Sequence, residues 1–227
     1  MTQHRTRIKI CGLTRAEDVA AAVAAGADAV GFVFYPPSPR HVGAESAAAL
    51  IARLPPFVSA VGLFVNASAD DVAAVLSQAP LALLQFHGDE TPAQCAAIAA
   101  AVKRPFIRAA RIASTMRPAD LLEYELAYRS ASPYFSGLLL DTLVDSYGGS
   151  GKVFDWSLIP EELAPRVVLS GGLSAANATD AVRRVRPHAV DVSSGVESAK
   201  GIKDSSRICA FIDAVREADS AVATKAI

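Results

Sequence analysis

Arg7-Ile8-Lys9-Ile10-Cys11, an alanine-rich helical stretch around Val19 to Ala25, then Ala29-Val30-Gly31-Phe32-Val33-Phe34: this opening run decides the fold. A β-branched run, an amphipathic helix and a second apolar run in close succession spell one βαβ unit, because parallel neighbours need a crossover that covers a sheet face. The same alternation recurs about every 25 to 30 residues. Strand candidates follow at Ser59–Val65, Ala82–His87, Phe106–Ala110, Gly137–Asp141, Arg166–Ser170 and Ala189–Ser193, which with Arg7–Cys11 and Ala29–Phe34 makes about eight units. Eight consecutive units predict a closed α/β architecture, a (β/α)8 TIM barrel. The rival, an open doubly wound sheet, lacks its usual G-x-G-x-x-G after the first strand.

Helix starts are signalled between the strands. Thr14-Arg15-Ala16-Glu17 reads as a capping box, and Thr91-Pro92-Ala93-Gln94 as a second one with proline at the first helical position. No linker or charge block divides the 227 residues, so a single domain over 1–227 is expected, with residues 218–227 as a frayed tail.

Composition narrows the function. A formal charge of −1 with 52% hydrophobic residues offers no clustered cations for nucleic acid or an anionic membrane. No apolar stretch has the length of a membrane span, and the N-terminus carries no signal-peptide core. Three separated cysteines, Cys11, Cys95 and Cys209, suggest neither a disulfide framework nor a zinc site. These features predict a cytoplasmic protein with free thiols that acts on small molecules, as a monomer or homodimer.

In such barrels the strand C-termini and the loops after them form the active face. That rule singles out Cys11, Arg40 in the second loop, Gln85 and His87 on strand four, and Asp141 ending strand six. It also singles out two glycine-containing loops, Ser170-Gly171-Gly172-Leu173 and Ser193-Ser194-Gly195-Val196. The loops after strands seven and eight commonly cradle phosphate on backbone N–H groups, which makes Gly171, Gly172, Ser194 and Gly195 candidate anion contacts. The alternative is that these glycines only make tight turns. Gly148-Gly149-Ser150-Gly151-Lys152 is no nucleotide loop, since that pattern needs Gly at Ser146 and Ser or Thr at Val153; it belongs to a long sixth loop, either a lid or binding loop or a disordered stretch without function.

Period two sets Arg7, Lys9 and Cys11 on one strand face, with Lys9 one rung beneath the thiol. Its ammonium favours thiolate, yet burial as an inert thiol is the ordinary fate of cysteine. Closure would set strand eight beside strand one and pair Lys9 with Asp191. Asp141 follows Gly137-Leu138-Leu139-Leu140 and emerges at the barrel mouth, where a salt bridge or catalysis could employ it. His87 reads as a hydrogen-bonded wall residue and receives no role.

Taken in order, Lys9-Ile10-Cys11-Gly12-Leu13-Thr14, Gly31-Phe32-Val33-Phe34 with Ser38-Pro39-Arg40, Gln85-Phe86-His87-Gly88, Leu140-Asp141, the sixth-loop glycines with Phe154-Asp155-Trp156, Ser170-Gly171-Gly172-Leu173 and Asp191-Val192-Ser193-Ser194-Gly195-Val196-Glu197 carry a pattern. It resembles the phosphoribosylanthranilate isomerase family of tryptophan biosynthesis from strand one to strand eight. Phe86 stands where Leu is usual, and Ser150 and Val153 where Thr is common. The resemblance implies an Amadori rearrangement of a small phosphoribosyl substrate without metal or organic cofactor. It implies Cys11 as general base, Asp141 as general acid, Arg40 as partner of the anthranilate carboxylate, and loops seven and eight as the phosphate site. Two rivals stand beside it. A histidine-pathway sugar isomerase of similar chemistry would have Asp at the Cys11 position, and a silent phosphosugar-binding barrel would have no use for Cys11 and Asp141 together.

Overall fold

The structure is a computed structural model that describes residues 5–142 and 153–224. Its frame is eight parallel strands, β1 (Arg7–Cys11), β2 (Ala29–Val33), β3 (Ser59–Phe64), β4 (Leu83–Phe86), β5 (Phe106–Ile112), β6 (Phe135–Thr142), β7 (Val168–Leu169) and β8 (Ala189–Val192). They close in sequence order, with β1 pairing β2 on one side and β8 on the other. The expected (β/α)8 barrel is therefore the observed one.

Alternation along each strand sorts its residues between two cores. On β1, Ile8 and Ile10 join the apolar layer between strands and helices, as do Leu138 and Leu140 of β6 and Val190 and Val192 of β8. Their neighbours face the barrel axis. There Ile107, Ala109 and Leu139 form a small separate cluster, packed by Leu83 and Val168, that plugs the lower barrel. The same inward rows carry the polar residues Lys9, Gln85, Asp141 and Asp191 higher up, all 8% exposed or less.

Among the described residues seven α-helices cover the strands: α1 (Ala16–Ala25), α2 (Ala44–Ile51), α3 (Ala69–Leu76), α4 (Pro92–Val102), α5 (Pro118–Ala131), α6 (Ala175–Val185) and α7 (Ser205–Thr224). Between β6 and β7 the described residues hold two 3-10 turns, Trp156–Leu158 and Ala164–Arg166, in place of a helix. Arg166 is spent in the second turn, so β7 shrinks to Val168–Leu169 from the expected Arg166–Ser170. The glycines 148–151 of the sixth loop lie outside the described residues.

Thr91 caps α4 as expected: its side chain accepts from Gln94 N, Gln94 answers to the Thr91 backbone, and Pro92 begins the helix. The first expected box does not form. Arg15 occupies the N-cap of α1 without a side-chain cap bond, and the Thr14 hydroxyl donates instead to Gly201 O at 2.9 Å. A short antiparallel hairpin, β9 (Glu197–Ala199) and β10 (Ile202–Lys203), supplies that carbonyl from beyond β8. The last helix runs on to Thr224, past residue 218. Ile208, Phe211, Ile212, Val215 and Ala218 of α7 are each fully buried at helical spacing, and Asp219 accepts from Thr6 N and Oγ1, both at 2.8 Å.

Candidate active site

Because inward rows end at the C-terminal mouth, the last inward residue of each strand is delivered to one place. Cys11, Arg40, Asp141, Gly171, Gly172 and Ser194 all line a single open cavity there, with Gln85, His87, Ser193 and Asp191. Gly195 does not line it. Its Cα face abuts the Leu173 carbonyl so closely that a Cβ would lie 1.9 Å from that oxygen, so this glycine joins the loops after β7 and β8 at van der Waals range.

Cys11 ends β1 at 4% exposure. Gly31, its partner on β2, makes room for it: a Cβ there would stand 2.7 Å from Cys11 Sγ and 3.1 Å from Lys9 Nζ. Lys9 Nζ donates to Asp191 Oδ1 at 2.8 Å, the predicted pair, and both side chains are about 5% exposed. Burial pushes the Cys11 thiol above its ordinary pKa; the Lys9 ammonium opposes that rise and the Asp191 carboxylate adds to it. Lys9 is raised, since burial is outweighed by the charges of Asp191 and Cys11.

Asp141 sits at the end of β6 with both oxygens engaged. Thr142 N donates to Oδ1 at 2.8 Å, and His87 Nε2 lies 3.1 Å from Oδ2. Gln85 Nε2 donates to His87 Nδ1 at 2.9 Å, which leaves the ring proton on Nε2 facing Asp141. Gln85 Oε1, fully buried, has no partner among the described residues. Sequence reasoning gave His87 no role; its period-two relation to Gln85, both on the inward row, was the available signal.

Arg40 reaches the cavity from the loop after β2. Its Nε and Nη2 donate to Glu197 Oε1 and Oε2 at 2.7 and 2.9 Å, a bidentate clasp on one edge of the guanidinium. Nη1 has no hydrogen-bond partner among the described residues, and the end of the fork remains for an anion. In the sequence Glu197 is marked only as the end of the stretch Asp191-Val192-Ser193-Ser194-Gly195-Val196-Glu197. Burial would raise its carboxyl, but hydrogen bonding to Arg40 and the charge of Lys203 hold it below the ordinary range.

The loop after β7 turns through two left-handed residues, Gly171 (φ +81) and Gly172 (φ +67). The backbone N–H groups of Gly172 and Ser194 have no hydrogen-bond partner among the described residues. These open amides, one on each of the adjoining loops after β7 and β8, leave two backbone donors available at the cavity. Gly171 also has a steric duty: a Cβ would lie 2.6 Å from Thr142 N and 2.8 Å from Asp141 Oδ1.

Residues 8–214 match the protein family described as N-(5'phosphoribosyl)anthranilate (PRA) isomerase. The chain is 71% identical over 222 residues to N-(5'-phosphoribosyl)anthranilate isomerase of Herminiimonas arsenicoxydans, covering 98% of each. It superposes with TM-score 0.79 and 41% identity on phosphoribosyl anthranilate isomerase in complex with reduced 1-(o-carboxyphenylamino)-1-deoxyribulose 5-phosphate, covering 93% of this chain and 99% of that one. A structure of monomers generated from dimeric phosphoribosylanthranilate isomerase of Thermotoga maritima aligns with TM-score 0.79 and 40% identity, over 93% and 99% of the two chains.

Proposed function

The chain belongs to the N-(5'-phosphoribosyl)anthranilate isomerase family and is an isomerase of tryptophan biosynthesis, and from that premise we propose which of its groups carry the reaction. The substrate, N-(5'-phosphoribosyl)anthranilate, becomes 1-(2-carboxyphenylamino)-1-deoxyribulose 5-phosphate. Asp141 delivers a proton to the furanose ring oxygen as the C1′–O bond breaks and the nitrogen lone pair forms a C1′=N iminium. The Cys11 thiolate then removes the C2′ proton; the C–H pair becomes a C1′=C2′ bond and the iminium pair returns to nitrogen. A proton onto C1′ and one off the C2′ hydroxyl give the ketone. The proton gained by Cys11 equals the one lost by Asp141.

Arg40 takes the anthranilate carboxylate on its free fork, and the open amides of Gly172 and Ser194 take the phosphate. Anchors at both ends hold the sugar between acid and base, which is where proximity lowers the barrier. His87 positions Asp141 through the 3.1 Å contact. The observation that carries the reading is the convergence of Cys11, Asp141, Arg40 and the two open amides on one cavity. A histidine-pathway isomerase is disfavoured by Cys11 itself, and a silent binding barrel by the pairing of Cys11 with Asp141. The test follows anthranilate fluorescence while purified protein consumes freshly generated substrate, without added metal or nucleotide. Strict dependence on a divalent ion at the chemical step would refute the assignment.

Among the described residues no helix is long and apolar enough to cross a membrane. The cytoplasmic location expected from the sequence goes with the biosynthetic role. Of monomer and homodimer we favour the homodimer. Phe57, between α2 and β3, is 100% exposed and held at φ +71, beside a cavity at the opposite barrel mouth lined by Leu83, Ile107 and Val168. An aromatic ring displayed next to an apolar recess fits reciprocal insertion between two copies.

A further inference from the structure

The hairpin beyond β8 holds a charge arrangement that the reaction above does not use. Lys203, on β10, is paired in register with Glu197 on β9, and its side chain is fully buried. An ammonium has three N–H groups, and here all find acceptors: Glu197 Oε1 at 2.9 Å, Ser193 O at 3.0 Å and Ser193 Oγ at 3.2 Å. Glu197 is thereby shared between two cations, Arg40 on its cavity side and Lys203 behind.

The hairpin is also fixed in place from outside. Asp18 accepts from Lys203 N at 3.2 Å, Arg15 donates to Lys203 O at 3.2 Å, and Thr14 holds Gly201 O. The turn glycine Gly201 (φ +79) packs against the residue before Arg40, where a Cβ would meet Pro39 O at 2.6 Å. Lys203 is thus positioned against the Arg40 loop by backbone contacts and held rigid.

Arg40 and Glu197 alone sum to zero, and a substrate carboxylate at the free end of Arg40 would also feel the repulsion of Glu197 from the opposite edge of the guanidinium. With Lys203 the triad carries one net positive charge, and in a partly buried site that charge is weakly screened. We infer that Lys203 is a positioning residue for substrate specificity: it neutralises Glu197, so that Glu197 can orient Arg40 without cancelling its attraction for the anthranilate carboxylate, and it ties that anchor to Ser193 at the β8 loop. The inference rests on Arg40 being the carboxylate anchor.

Burial lowers the Lys203 pKa and the Glu197 carboxylate opposes that fall; the charge assignment rests on the three acceptors around Nζ, one of them that carboxylate. The experiment compares Lys203→Met, Glu197→Gln, the double variant and Arg40→Leu by KM, kcat and competition by anthranilate. Lys203→Met is expected to raise KM and weaken anthranilate by about tenfold or more while kcat falls far less. The double variant should recover most of that loss, because Arg40 again carries an uncancelled charge; a purely structural lysine would make the two losses add. Where Lys203→Met does not fold, Glu197→Gln alone decides: KM within about threefold of the parent or lower supports the inference, and a tenfold rise overturns it. A double variant as poor as Lys203→Met also overturns it. Arg40→Leu separates the two claims, since an unchanged KM there removes the carboxylate anchor itself.

Discussion

His87 Nε2 lies 3.1 Å from Asp141 Oδ2 and binds the end of β4 to the end of β6 across the barrel mouth. With Gln85 donating to Nδ1, the imidazole presents its proton to the carboxylate in one fixed direction. Asp141→Asn is expected to lower kcat by about 10² to 10⁴, the usual worth of a positioned acid. His87→Gln should cost less, about tenfold to a hundredfold, and chiefly in kcat, because it disturbs the aim of Asp141 and leaves the anchors alone. Equal kcat in parent and His87→Gln would remove the histidine from the mechanism.

Cys11→Ser separates chemistry from packing. Serine nearly preserves size in a site where Gly31 leaves little slack, but its hydroxyl is far harder to deprotonate than a thiol. Turnover should fall by at least about 10²-fold in Cys11→Ser and Cys11→Ala alike. Affinity for the reduced product analogue should hold in both, as anchoring belongs to other groups. Near-parental turnover in Cys11→Ser would show that the base is elsewhere.

The Lys9–Asp191 pair predicts a pH response. The thiol of Cys11 is raised by burial, and Asp191 contributes to the rise while Lys9 resists it. If thiolate is the active base, kcat/KM climbs with pH and inflects above the ordinary thiol value of about 8.5. Asp191→Asn removes a negative charge near Cys11 but keeps Lys9, so the inflection should move to lower pH. The buried ammonium then lacks its carboxylate, and denaturant unfolding should register a loss of about 3–5 kcal/mol. An inflection that moves upward contradicts the scheme.

Legibility of the sequence followed the physics that each feature depends on. Strand rows were readable because Ile8/Ile10 against Lys9/Cys11 is a period-two pattern, and closure then forced Lys9 beside Asp191. Cys11 and Asp141 were readable because strand ends open on the mouth. The β9–β10 hairpin was not: Glu197-Ser198-Ala199 and Ile202-Lys203 show no alternation, and a buried ion pair with contacts from Thr14, Arg15 and Asp18 holds them. Thr14 was misread for the same reason, since Gly201, almost two hundred residues away, claims its hydroxyl. End position alone says nothing of burial in α7, where Ala218 lies on the helix's buried stripe.

Phe57 offers a test of assembly. Leaving its ring fully exposed forgoes about 1.5–3 kcal/mol that burial would return, and its left-handed backbone adds strain. Sedimentation or light scattering of the parent should give twice the chain mass, and Phe57→Glu should shift it to the monomer with turnover little changed, because the ring is at the mouth opposite the active cavity. A monomeric parent at micromolar concentration would remove the homodimer.

Gly171 separates the two duties expected of the loop after β7. If it served only as a phosphate contact, Gly171→Ala would raise KM and spare kcat. The structure gives it a different burden. At φ +81 an alanine is strained, at a cost of about 1–3 kcal/mol, and its Cβ would enter the space between Thr142 N and Asp141 Oδ1, at 2.6 and 2.8 Å. Both atoms belong to the hydrogen bond that orients the acid. Neither can yield like the end of a flexible chain, so β6 and the loop must part and Asp141 must turn. The expected signature is therefore a fall in kcat of at least about tenfold together with lower stability. Gly195→Ala supplies the contrast: its Cβ would strike the Leu173 carbonyl at 1.9 Å, pushing apart the loops that carry Gly172 and Ser194 without touching Asp141. There KM and competition by inorganic phosphate should weaken more than kcat. If the two variants gave the same split between KM and kcat, the separation of acid-orienting and phosphate-holding glycines would be wrong.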